Sequence, residues 1–385
     1  MTGSANSASG NGSAKPRRTR AQRSLIAFNI FIVVACLGSA AGLTWFKREV
    51  TSIPRLSIPI ERGFEPEVPK GDAKNYLLVG IDNATGLRGD DPVRNGRGTS
   101  QLTDTIMILR VDPIYERAAI LSLPRDLYVR IPPDTRSYKI NHAYAFGGIS
   151  KLIETIYVNF GIPIHHYAIV DFAGFENLVD LLDGVPMYFP WPAQDTETGL
   201  YQFDAPGCIT LDGSHALAFA RSRHLKVQVN GEWVEDSSGD IGRARRQQEF
   251  MRNAMRKAIN RGARNPITLS NLISLAQKNV QLDEFVSVQE LIDVSQQMKE
   301  FDPDELETYT PPAHNAWVGQ QAVLILHDAE AHPIFDIFRG IDDDRPVVPS
   351  APQTASGLSA PSNDQTTTST QSAFIPAPPE GIECG

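Results

Sequence analysis

The stretch ISKLIETIYVNFGIPIHHYAIVDFAGFENLVDLLDGVPMYFP, residues 149–190, switches its hydrophobic period repeatedly. ISKLIETIYVNF (149–160) places apolar residues at helical spacing, and HYAIVDF (166–172) is a short apolar run of strand length. GFENLVDLL (174–182) returns to helical spacing and stops at Asp183-Gly184, where a glycine readily takes the left-handed turn that ends a helix. VPMYFP (185–190) then reads as a strand again. Strands alternating with helices predict an α/β layered domain with helices on both sides of a sheet. The pattern alone leaves open whether that sheet is parallel or mixed.

Upstream, NYLLVGID (75–82) is a buried strand ending in an acid, followed by a loop from Asn83 to Thr99 rich in Gly, Asp and Arg. TDTIMILRVD (103–112) is a second strand, and ERAAILSLPRDLYVRIP (116–132) a third with its continuation. Downstream, a helix is expected from about Asp240, whose carboxylate would cap it, to about Arg261, with Met251, Ala254, Met255 and Ala258 facing inward. ITLSNLISLAQK (267–278) and SVQELIDVSQQM (287–298) predict two more helices, and AVLILHD (322–328) a late strand. All of these are assigned to one domain, 72–345. Residues 346–385 are rich in Pro, Ser, Thr and Gln and read as a disordered tail.

The chain has 385 residues and is 41% hydrophobic, enough to bury a core and to exclude disorder as a whole. Leu25 to Phe46 is an uncharged apolar run of about 20 residues, the length of a membrane-crossing helix. Lys15, Arg17, Arg18, Arg20 and Arg23 precede it, so the positive-inside rule puts residues 1–24 in the cytosol and the body outside. A cleaved signal peptide ending near Gly38 to Ala41 is the alternative, but the apolar run continues past those small residues to Trp45 and Phe46. Residues 47–71, with several prolines, read as an extended stalk. Of the three cysteines, Cys36 falls in the apolar run, leaving Cys208 and Cys384 either as a disulfide tying the tail to the domain or as two free thiols.

Charge singles out the candidate site. The chain carries a formal net charge of −9, and its first 46 residues contain cations but no acid, so the remainder is more acidic still. That argues against bulk attraction to polyanions such as nucleic acid. Yet Arg221, Arg223, Arg243, Arg245 and Arg246 concentrate in FARSRH (219–224) and GDIGRARRQQEF (239–250). Guanidinium forks bind phosphate oxygens two at a time, so a phosphate-bearing partner is expected. Arg243, Arg246 and Gln247 share a helix face near its N-terminus, which itself favours an anion, while Arg245 points elsewhere. Asp82 ends one strand, Asp104 opens the next, Asp240 opens the helix and Arg125 sits in the turn SLPRD, all where an α/β sheet presents its ligand crevice. Singly, each acid reads as a turn residue and RARRQQ as a solvated helix face. Jointly they suit a divalent cation such as Mg²⁺ bridging two carboxylates to a diphosphate.

GID (80–82), LTDTIMI (102–108), SLPRDLYV (122–129), KINHAYAFGG (139–148), VDFAGFENLVDLLDGV (170–185), LDGSHALAFARSRH (211–224) and DIGRARRQQ (240–248), in this order, resemble the LytR-CpsA-Psr family. The motif core spans 75–262. The resemblance implies a layered α-β-α domain with a central mixed sheet and an apolar lipid-binding pocket, preceded by one transmembrane helix in a bacterial cell membrane. It implies a phosphotransferase that moves a glycopolymer from a polyprenyl diphosphate carrier to a cell-wall acceptor, commonly peptidoglycan. Carried over, Asp82 and Asp104 would hold Mg²⁺, while Arg125, Arg221, Arg223, Arg243, Arg246 and Gln247 would bind or support the diphosphate. Arg125, Arg243, Asp104 and Asp240 are the catalytic candidates, with Asp104 or Asp240 a possible general base and His142 and His224 lying in matched blocks. One departure is Leu102, where many members carry an arginine; Arg88, Arg94 and Arg97 are the candidates to replace it.

Two other classes use similar residues. A non-catalytic lipid-glycan binding module or a polyprenyl diphosphate hydrolase would need the same arginines. A transcription attenuator finds no support, because the cytosolic segment is too short for a fold and its basic run is explained by membrane orientation.

Overall fold

The computed structural model describes residues 55–56, 63–65, 72–83, 102–201, 205–276, 279–341 and 384. The chain divides into units Met1–Ser52 and Ile53–Gly385, and the second holds every described residue. Among the described residues no helix is long and apolar enough to cross a membrane; Leu25 to Phe46, most of the stalk and most of the tail lie outside them.

The chain runs through β1 (Arg55–Leu56), β2 (Lys74–Ile81), β3 (Thr103–Asp112), β4 (Arg117–Ser122), β5 (Tyr128–Arg130) and β6 (Ser137–Lys139) into helix α1 (Asn141–Phe160). Next come β7 (His166–Val170), α2 (Phe172–Leu181), β8 (Val185–Phe189), β9 (Ala193–Gln194), β10 (Gly207–Leu211), α3 (Gly213–Arg221), β11 (Lys226–Val229), β12 (Glu232–Glu235) and α4 (Gly239–Asn260). The last elements are α5 (Pro266–Ala276), β13 (Gln281–Asp283), α6 (Val288–Gln297), β14 (Glu307–Tyr309), β15 (Ala313–Val318), β16 (Gln321–Leu326) and α7 (Asp328–Arg339).

Seven strands form the central sheet in the order β1-β13-β7-β2-β3-β4-β14. It is mixed: β7 runs parallel to β2, whereas β2, β3 and β4 pair antiparallel in sequence order. Both faces are covered, as the apolar runs in β3 and β4 require. Leu77, Val79, Ile106, Ile108 and Leu121 pack against Ile149, Leu152, Ile153 and Ile156 of α1 and Phe335 and Phe338 of α7. On the other face Met107 and Ile120 meet Met251 and Met255 of α4, which are half-buried. A second core of Met187, Phe189, Leu211, Phe219 and Phe250 ties β8, β10 and α3 to α4.

Three sequence readings change here. The continuation of the third strand leaves the sheet, and Tyr128–Arg130 pairs with Ser137–Lys139 instead. VPMYFP and AVLILHD are strands, but β8 pairs with β10 and β16 with β15, outside the central sheet. The helix at 149–160 begins earlier, at Asn141, and breaks at Gly147 and Gly148; Gly148 has φ 65° and ψ −155°, a conformation essentially confined to glycine.

Cys208 and Cys384 form a disulfide across 176 residues of sequence, which decides between the two alternatives that the sequence left open. Closing so long a loop restrains the unfolded chain, and its loss should cost about 2–5 kcal/mol. Cys208→Ser is expected to lower the melting temperature by the same amount as reduction of the native protein, measured by calorimetry with and without dithiothreitol.

At the start of β7, His166 lies buried between Asp283 (Nδ1 to Oδ1, 3.2 Å) and Glu290 (Nε2 to Oε1, 2.9 Å), and Lys74 also bonds Glu290. Burial alone would lower the imidazole pKa, but hydrogen bonds to the two carboxylates raise it. A group with a raised folded-state pKa stabilises fully below its unfolded value, about 6.5, and loses that contribution as pH rises through the folded one. Stability should therefore fall above pH 6.5, and His166→Gln should remove that slope. Denaturant midpoints measured from pH 6 to 9 check this.

Candidate functional site

Antiparallel pairing of β2 with β3 and parallel pairing with β7 bring Asp82, Asp104, Phe172 and the turn after β4 to one end of the sheet. The amide of Asp82 donates to Leu102 O (2.9 Å), so the two strand-end acids are stitched together by backbone. Between β2 and β3 the register shifts: Gly80 faces Thr105 while Ile81 faces Thr103, leaving Asp104 as the extra residue of a β-bulge. A bulge takes a side chain out of simple alternation, which is how bulges re-aim residues beside sites. The Asp104 carboxylate meets Arg125 Nη1 directly. Burial would raise the Asp104 pKa, but the charges of Arg125, Arg243 and Arg221 hold it below the usual carboxylate range.

Helix α4 supplies the next wall. Its N-cap is Ser238, not Asp240, and Ser238 makes no side-chain capping bond. Asp240 lies in the first turn, and its Oδ1 is 2.9 Å from Arg223 Nε and 3.0 Å from Arg243 Nη2. Burial, with Arg223 and Arg125 close by, pushes Arg243 down to about 10 despite Asp240, so it stays protonated at neutral pH but is crowded by like charge. Gln247 Nε2 donates to Thr105 Oγ1 (3.0 Å) and Ala220 O (2.8 Å), tying α4 to β3 and α3. Arg221 lies over the Phe172 ring, 4.7 Å from its centroid. Arg245 is exposed, as expected.

Arg246 departs from the predicted face. Its Nη1 bonds Asp236 and its Nη2 donates to Ser222 O (2.6 Å), with both charged groups almost fully buried. Gly242 makes room for this, because a Cβ there would collide with Ser238 and Asp236. Ser222 is pinned a second time, Oγ donating to Asp195 Oδ2 at 2.6 Å. Asp195, Asp236 and Arg246 thus hold the backbone between Arg221 and Arg223 from behind. No spacing rule marks Asp195 or Asp236, which reach this point through loops.

Asp126, next to Arg125, was not singled out by sequence. It bonds Lys139 (2.9 Å), and its carboxylate lies within hydrogen-bonding reach of Asp240. His224 is half-exposed and bonds Glu235 at 2.8 Å; His142 faces Lys139 and Asp126 and is lowered chiefly by burial. Arg88, Arg94 and Arg97 fall outside the described residues.

Four arginines, 125, 221, 223 and 243, thus gather around two directly bonded carboxylates, Asp104 and Asp240. The buried Nε of Arg125 has no hydrogen-bond partner among the described residues. A concentration of guanidinium groups and an unused buried donor at a sheet end fit an anionic oxygen ligand. Among the described residues no group of three or more His, Cys, Asp or Glu side chains could cage a metal. Asp82 and Asp104 supply the oxygen donors that suit Mg²⁺ completed by phosphate oxygens and water. A cavity of about 270 Å³, lined by Lys74, Tyr76 and Glu290, lies at the opposite end of β2 and contains none of these residues.

The chain is 33% identical over 239 residues to the polyisoprenyl-teichoic acid–peptidoglycan teichoic acid transferase TagU of Enterococcus faecalis, covering 61% of this chain and 70% of that protein. It is 32% identical over 269 residues to the TagU of Oceanobacillus iheyensis, covering 66% and 75%. Its fold is shared with B. subtilis TagV (TM-score 0.58, 22% identity, 72% of this chain and 100% of that one). The LytR-Csp2A-Psr enzyme from Actinomyces oris is similar (TM-score 0.57, 22% identity, 74% and 95%). The LytR_cpsA_psr family pattern matches residues 53–338, well over half of the sequence, and the chain belongs to the LytR-CpsA-Psr family.

Proposed function

We propose that this protein is a membrane-anchored, outward-facing phosphotransferase that takes a glycopolymer from a polyprenyl diphosphate carrier and joins it through a phosphodiester to a cell-wall acceptor, with peptidoglycan the first candidate. The observation that carries it is the buried, unsatisfied Arg125 Nε within a cluster of arginines. The names of the TagU relatives support the substrate class.

In this reading Arg125, Arg221, Arg223 and Arg243 bind the diphosphate and offset the charge that spreads onto the leaving polyprenyl phosphate. Gln247 fixes α4 against β3, and Arg246 fixes the 221–223 backbone, so the guanidinium groups are positioned before substrate arrives. Mg²⁺, held by Asp82 and Asp104, would neutralise charge on the diphosphate oxygens when bound. The carrier's lipid is assigned to an apolar pocket of the α/β core, and Leu25 to Phe46 to the membrane anchor.

The test is the full chain in detergent, supplied with a polyprenyl diphosphate-linked saccharide, peptidoglycan fragments and Mg²⁺. Acceptor-linked product is expected, lost on adding EDTA and restored by Mg²⁺. Binding without turnover would leave a lipid-glycan binding module, and carrier release without acceptor product a hydrolase.

A further inference from the structure

A second cavity, about 150 Å³, opens beside Asp240, between Asp126, Ser237 and Ser238 and the β15–β16 hairpin. No cation lines it. Its hydroxyls, carboxylates and the Asn315 amide are therefore wrong for a phosphate and right for the hydroxyls of a neutral ligand. The hairpin is fixed at this spot: Leu324 N donates to Asp126 O (3.0 Å), and Leu324 bridges Leu127.

Pairing of the hairpin adds an independent feature. Asn315 faces Leu324 and Trp317 faces Ala322 across the two strands, so these four side chains share one face. Asn315, Ala322 and Leu324 line the cavity, and the Trp317 indole, 75% exposed, stands opposite Ala322 on that same face of the hairpin, next to the lining rather than in it. An exposed indole beside a small polar cavity is suited to the apolar C–H face of a pyranose, whose hydroxyls then reach the polar lining.

We infer that this cavity is the acceptor subsite, taking a neutral saccharide that stacks on Trp317 and directs one hydroxyl past Asp126 and Asp240 toward the arginine-bound diphosphate. The assignment rests on the phosphotransfer reading above. In the step, the acceptor oxygen bonds to the sugar-linked phosphorus and the bond from that phosphorus to the polyprenyl phosphate breaks. The hydroxyl proton passes to the Asp126 carboxylate, and polyprenyl phosphate leaves with the electron pair.

The experiment uses the full chain in detergent with a polyprenyl diphosphate-linked disaccharide and a lipid-free glycan-strand oligosaccharide, varying each in turn. Ala322→Trp fills the cavity from an exposed strand position, and Trp317→Ala removes the platform. Both are expected to raise the acceptor KM about tenfold or more, the equivalent of roughly 1.4 kcal/mol, with the donor KM within about twofold. Asp126→Asn should instead lower kcat and leave the donor KM unchanged. An unchanged acceptor KM in both hairpin variants, with wild-type transfer intact, overturns the subsite alone. Reduced retention of Trp317→Ala on lipid vesicles, without a change in acceptor KM, also overturns it and makes the indole a membrane contact. Absence of wild-type transfer removes the phosphotransfer reading and the subsite with it.

Discussion

Arg125→Ala is expected to lower kcat/KM for transfer from a polyprenyl diphosphate donor by about 10²–10³-fold, the scale of losing one preorganised donor to developing charge. Arg125 joins Asp104 and retains a buried Nε without a partner among the described residues, so its removal takes away both a ligand donor and one of the three charges that lower the Asp104 pKa. Arg243→Ala should be equally severe, because Arg243 is buried against Asp240 at the N-terminal end of α4. Arg125→Lys retains the charge but not the planar fork, and should fall between wild type and alanine. Steady-state kinetics with melting curves on the same samples check this; near-normal activity in either alanine variant contradicts the assigned roles.

Arg246→Ala should act differently, destabilising the protein by about 3–5 kcal/mol, because it leaves the Asp236 carboxylate charged and unpaired in the interior. Ser222 O loses its 2.6 Å donor at the same time, and the segment carrying Arg221 and Arg223 loses its rear support. Replacing both partners by apolar residues, Arg246→Met with Asp236→Leu, removes the uncompensated charge and should recover most of the stability. Activity should not recover with it, since the hydrogen bond to Ser222 is still missing. Urea denaturation of the single and double variants, paired with transfer assays, separates the two effects.

Much of this was legible in the sequence. The runs at 75–82, 103–112, 166–172 and 174–182 fall largely in β2, β3, β7 and α2, because burial in a covered sheet leaves short apolar runs in the strands and one-sided burial leaves helical spacing in α2. Which strands share a sheet was not legible for 185–190 and 322–328, since their partners are chosen by contacts distant in sequence. Arg243 and Gln247 do point to one side, but Arg246 is about 60° away from Arg243 in the opposite sense around the helix and turns to Asp236. The Asp104 bulge depends on a register shift that no single strand reveals. Asp126 stood beside a recognised arginine yet carried no pattern of its own; only the approach of Asp240 and the hairpin gives it meaning.

The central claim, transfer of a phosphoryl group with its sugar still attached, is tested most directly by following the sugar-linked phosphorus. A polyprenyl diphosphate-linked saccharide labelled with ³²P at that atom is incubated with the full chain, Mg²⁺ and peptidoglycan fragments. The label is expected in the acceptor-linked phosphodiester, with unlabelled polyprenyl phosphate released. Label remaining with the lipid while sugar reaches the acceptor would contradict it, because the bond broken would then be the glycosidic one.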